Sequence, residues 1–91
     1  MISKNMTIER NKGLLTASVD RELVLLNAAR GEFYGLDDIA SDIWARLATP
    51  QTVSALVAAL AEAYEGDSAI IERDLLTLLE QMSVRGMVIT D

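Results

Sequence analysis

A chain of 91 residues has room for one small domain, because at this length only about two-thirds of the unfolded surface is buried and two cores cannot form. Eight basic against fourteen acidic residues leave a net charge of −6, and after Leu47 seven acids face only Arg73 and Arg85, so that half repels polyanions. With no Cys and no His, thiol nucleophiles, zinc clusters and the usual neutral-pH general base are excluded together.

The start, "MISKNMTIERNKG", has no apolar run of signal-peptide length, and no later segment approaches a membrane span, which predicts a soluble, cytoplasmic protein. Met1 to Lys12 are polar and aperiodic and read as a flexible arm outside the core, with residues 13–91 as the single folded domain. "LLTASV", Leu14 to Val19, alternates with Leu15, Ala17 and Val19 on one face and Thr16 and Ser18 on the other, the period of a strand. Asp20 and Arg21 make a tight turn into "ELVLLN", whose residues suit a strand covered on much of both sides. "AARG" closes a second hairpin, with Gly31 supplying the left-handed residue such a connection needs. "EFYGL" is the third strand, with Tyr34 and Leu36 on the face toward the helices and Phe33 on the other.

Asp37 is placed to cap a first helix, and Asp38 sits in its first turn, where its charge complements the helix dipole. That helix runs to about Leu47, with Ile39, Ala40, Ile43, Trp44 and Leu47 on one face. Pro50 ends the region and Thr52 caps a second helix over Val53 to Tyr64, whose stripe is Val53, Leu56, Val57, Leu60 and Tyr64. Gly66 breaks it, and Asp67 or Ser68 starts a third helix that runs to Arg85 and stops at Gly86. Ile71, Leu75, Leu78 and Met82 form its core line, flanked on one side by Leu76 and Leu79 and on the other by a mixed stripe of Ile70, Asp74, Thr77 and Gln81. "MVIT" adds a short strand. The fold class is α+β: a three-stranded antiparallel sheet followed by three helices.

Taken in order, "GEFYGLDDIASDIW", "TVSALVAALAEAY" and "DLLTLLEQMSVRGMV" resemble the PqqD-like family of peptide chaperones, also called RiPP recognition elements, and within it the free-standing proteins of lasso-peptide clusters. The family pattern is a glycine turn, an aromatic pair, Gly-Leu-Asn, then Ile-Trp seven positions after the Leu. Gly31, Phe33, Tyr34, Gly35, Leu36, Ile43 and Trp44 fit it; Asp37 stands for the Asn and Ala40 for a common Gly. Thr52, Val53, Leu56, Leu60 and Tyr64 fit the second helix and Asp74, Leu79 and Gly86 the third, with Met82 and Met87 in place of Leu.

The resemblance implies a winged helix-turn-helix-like domain without catalytic activity or cofactor. Its implied ligand is the leader segment of a ribosomally made precursor peptide, added as a strand along "EFYGL" under the third helix. Its implied partner is a separate maturation enzyme, a leader peptidase of the cysteine-protease type, with no role for nucleic acid, membrane or metal. Candidate peptide-binding residues are Glu32, Phe33, Tyr34 and Gly35 on the strand and Ile70, Asp74, Thr77 and Leu78 on the helix. Phe33, Ile70 and Leu78 are read as pocket walls, and Glu32 and Asp74 as partners for a basic leader residue. Against this stand bland roles: Tyr34 and Leu36 as core, Asp74 as a solvated charge beside Arg73 or Arg85, and Asp37, Asp38 and Asp42 as helix-start acids without calcium-loop spacing. Two other classes compete. A winged-helix DNA reader is opposed by Glu72, Asp74 and Glu80 on the third helix, and a helix-docking adaptor would act through Leu76 and Leu79.

Overall fold

A computed structural model describes residues 1–91. The elements run β1 (Thr7–Arg10), β2 (Leu15–Val19), β3 (Glu22–Asn27), β4 (Glu32–Leu36), α1 (Asp38–Arg46), β5 (Gln51–Thr52), α2 (Val53–Tyr64), α3 (Ser68–Val84) and β6 (Val88–Thr90). Two three-stranded antiparallel sheets result, ordered β2-β3-β4 and β5-β1-β6. The fold is α+β, and the β2-β3-β4 sheet precedes the helices as its strand patterns and turns predict.

Local chemistry sets the boundaries. Asp20 and Arg21 both take positive φ, 50° and 72°, the left-handed pair a two-residue hairpin requires. Gly31 closes the β3–β4 hairpin at φ 66°. Asp37, Thr52 and Asp67 cap the three helices, each side-chain oxygen accepting a backbone N–H from Ala40, Ala55 and Ala69. Gly86, at φ 75°, follows the α3 cap residue Arg85 and turns the chain into β6.

The helices pack on one face of β2-β3-β4, burying Leu25 and Leu36 against Ala40, Ile43, Trp44, Leu60, Leu75, Leu79 and Met82. Three expectations change here. First, residues 1–12 are not an arm outside the core. β1 is the central strand of the second sheet, and Ile2 and Ile8 are buried. Met6 and Lys4 carbonyls accept N–H groups from Val53 and Ser54 at the start of α2, and Thr7 exchanges both backbone bonds with Asp91. Arg10 lies 4.7 Å over the Trp44 ring and donates Nε to the Trp44 carbonyl at 2.9 Å. Second, β3 is covered on one side only: Leu25 and Asn27 face inward, while the face carrying Val24 and Leu26 meets no other element and β2 is exposed throughout. Third, the buried line of α3 is Leu75, Leu79 and Met82, so the helix is rotated toward Leu79, leaving Ile71 and Leu78 half-buried. Ile39 and Tyr64, read as core by spacing, are about half exposed.

Candidate functional site

β4 pairs only with β3, so its other edge carries unpaired backbone donors and acceptors. Beside that edge runs α3, pinned at its C-terminal end by Arg30, which donates to the Val84 carbonyl at 3.1 Å. Between them lies an opening of about 170 Å³ bounded by Gly35 and Leu36 of β4, by Asp37 and Ala40, and by Leu78, Gln81, Met82 and Arg85 of α3. A second opening of about 330 Å³ sits between α1, α2 and α3, walled by Ile39, Ile43, Leu60, Tyr64, Ile71, Leu75 and Leu78, with Asp74 at its margin. Leu78 lines both, so the two openings adjoin at this side chain: one borders the backbone edge and the other is an apolar chamber.

Of the eight residues singled out in the sequence, the groove gathers Gly35, Asp74 and Leu78. Tyr34 is half-buried on the inward face, with the Arg85 guanidinium 5.3 Å from its ring centroid. Burial, then a hydrogen bond with Glu32, raises the Tyr34 pKa above the ordinary phenol value. Glu32 also lies 3.9 Å from Arg30. Phe33 does not share a pocket with Ile70 and Leu78. Its register with Leu26 and Leu15 puts it on the outer face of the sheet, away from α3. Ile70 and Thr77 line neither opening, and the Thr77 hydroxyl donates back to the Arg73 carbonyl. Asp74 pairs with Arg73 at 3.3 Å, both side chains largely exposed, so this neighbour contact holds it weakly.

The family model for coenzyme PQQ synthesis protein D, PqqD, matches residues 22–88. The chain belongs to the PqqD family. No curated protein matches this family member. Among solved structures, it superposes on TbiB1 in complex with the TbiA(beta) leader peptide with a TM-score of 0.79 and 29% identity, covering 88% of this chain and 93% of that one. It superposes on lasso peptide synthetase B1 complexed with the leader peptide with a TM-score of 0.72 and 25% identity, over 90% and 96%. The resemblance carried by Gly31 to Trp44 and the two later helices therefore holds.

In this PqqD-family domain several groove residues had passed as core. Ile39 and Tyr64 obey the helix periodicity of buried positions, yet both open onto the chamber. Tyr64 is held there by its hydroxyl, which donates to Asp42 at 2.6 Å, while Asp42 also accepts from Arg46 at 3.1 Å. The Asp37 and Asp42 carboxylates are thus committed to a cap and to a bridge, and no cluster of acids with metal-binding arrangement exists.

The bond to Asp42, then partial burial, raises the Tyr64 pKa above the ordinary value. A raised folded-state pKa means the folded chain keeps this proton where the unfolded chain has lost it. The contribution is therefore complete below about pH 10 and is lost as pH rises above it. Tyr64→Phe is expected to reduce the alkaline loss of stability, and an absorbance titration at 295 nm should then show one late-ionising tyrosine, Tyr34, instead of two.

Proposed function

We propose that this protein is a non-catalytic module that binds the leader segment of a ribosomally synthesised precursor peptide by strand addition and presents it to a separate leader peptidase in the cytoplasm. The observation that carries the reading is the free β4 edge beside α3, with an apolar chamber adjoining its opening at Leu78. Both solved structures it resembles hold a leader peptide. No helix is long and apolar enough to cross a membrane, consistent with a partner met in water.

Energetics favour a groove over a bare edge. Ordering about six residues costs roughly 6 to 12 kcal/mol of backbone entropy. Ladder hydrogen bonds return only about 0.5 to 1.5 kcal/mol each. Two or three apolar anchors, each contributing about 1.5 to 3 kcal/mol when buried, decide the balance. The chamber receives one such side chain and the opening under α3 another, while β4 supplies the ladder. Asp74, at the chamber margin, pairs with a basic leader residue and fixes register.

A labelled synthetic leader, taken from a short precursor reading frame sought among the neighbouring genes, tests the reading. Amide exchange should slow across Glu32 to Leu36 on titration, and Asp74→Lys should weaken a leader that carries a basic residue by several-fold with the melting temperature unchanged. Unaltered exchange along β4 at saturating peptide would overturn strand addition, and unchanged affinity would remove Asp74 from the site.

A further inference from the structure

A single stripe of α3 faces both openings. Asp74, Leu78, Gln81 and Arg85 follow one another at intervals of four, three and four residues, which brings Asp74 and Arg85 within about 20° of each other around the helix axis. Asp74 and Leu78 line the chamber; Leu78, Gln81 and Arg85 line the opening beside the β4 edge. The two ends of the stripe differ in chemistry. In the chamber wall Asp74 is the one charged residue, and a carboxylate only accepts. Beside β4 the polar side chains are Asp37, Gln81 and Arg85. Asp37 is committed to the α1 cap, where its Oδ1 accepts the Ala40 N–H at 2.8 Å. What remains there is a pair of donors one helical turn apart.

The other arginines near this end of α3 are engaged. Arg30 donates to the Val84 carbonyl and lies 3.9 Å from Glu32, and Arg73 pairs with Asp74. Arg85 has no such partner. Its guanidinium stands 5.3 Å from the centroid of the Tyr34 ring, which belongs to the strand with the free edge. Stacking of this kind holds a guanidinium in place without using its N–H groups, which point outward in its own plane. With Arg30 and Arg85 set against Glu32, the spot is locally positive on a chain of net charge −6.

We infer that Arg85, assisted by Gln81, reads an acidic side chain of the leader. A carboxylate beside the β4 edge meets a planar fork of donors suited to two parallel bonds, with the Gln81 amide next to it. Resting on the leader-binding reading, this assignment narrows the ligand to peptides that carry both a base and an acid. Asp74 and Arg85 are separated along the helix by roughly 16 Å at about 1.5 Å per residue. An extended peptide covers that distance in about five residues. Alternation turns only every second side chain toward α3, so the acid falls four or six residues from the base held by Asp74.

The test uses the full chain and the labelled leader of the exchange experiment, with dissociation constants read by anisotropy. Each Asp or Glu of the leader is replaced in turn by its amide. We expect one such peptide to bind the wild-type chain at least fivefold more weakly than the parent leader, yet to match the parent on Arg85→Gln. Lys at that leader position should weaken binding at least tenfold, and Arg85→Glu should recover most of the loss, a rescue that disturbed packing on Tyr34 would not produce. Gln81→Leu, which leaves Arg85 in place, should weaken the parent leader about twofold. Arg85 is exposed, and a thermal melt checks each variant; if Arg85→Glu fails to fold, the amide series on Arg85→Gln decides. Equal losses from the amide peptides on the wild-type chain and on Arg85→Gln overturn the role of Arg85 and leave leader capture standing. Tight binding of a leader that has no Asp or Glu does the same. Failure of the wild-type chain to bind leader at all removes the functional reading, and the Arg85 assignment with it.

Discussion

Deletion of residues 1–10 is expected to leave an unfolded chain, although these residues look dispensable on polarity alone. β1 lies between β5 and β6, and its loss strands both. The bonds from Val53 and Ser54 to Met6 and Lys4, between Thr7 and Asp91, and from the Ile2 amide to the Glu80 carboxylate tie the start of the chain to α2, α3 and the C-terminus. A milder form of the same test is Ile8→Ala. Ile8 is fully buried, and removing its branch costs about 2–5 kcal/mol, a large part of the roughly 5–15 kcal/mol that holds a domain folded. Urea unfolding of Ile8→Ala should show the lowered midpoint with the slope retained. A truncated chain with native far-ultraviolet dichroism would refute the structural role of β1.

The second large effect is on binding. Leu78 is the one side chain common to both openings of the groove, so Leu78→Lys should disturb both anchor sites at once. Loss of one anchor of about 1.5 to 3 kcal/mol corresponds to roughly 10- to 150-fold in dissociation constant. The fold should tolerate the change, because Leu78 is only half-buried and a lysine stem can lie along the same wall with its charge in water. Anisotropy with the labelled leader, set beside a thermal melt, separates the two. Near-native affinity would place the leader elsewhere than in this groove.

Much of the local structure was legible because it is written in neighbouring residues. Asp37, Thr52 and Asp67 announce helix starts, the 3.6-residue stripes place Ile43, Trp44, Leu56 and Leu60 inside, and Gly31 and Gly86 mark the turns. The site was legible in part. Gly35, Asp74 and Leu78, singled out in the sequence, line the two openings beside α3. Phe33 went to the opposite face from the pocket expected of it, a consequence of the same alternation that placed Tyr34 inward. Ile39 and Tyr64 were concealed by spacing that suits a core residue and a groove wall equally well.

The sequence by itself determined the class of the protein: a small acidic domain without thiol or imidazole, with a meander, three capped helices and the ordered motifs that place it in its family. Only the tertiary structure decided the role of the first ten residues, the rotation of α3 toward Leu79 and the placing of Leu78 in the wall of two openings. The reason is range. Caps, turns and periods are settled within one or two turns of chain, whereas β1 earns its place from Asp91, Gln51 and Val88, partners at the far end of the sequence or beyond an intervening sheet and helix. A four-residue strand with a single buried side chain carries no local sign of those partners.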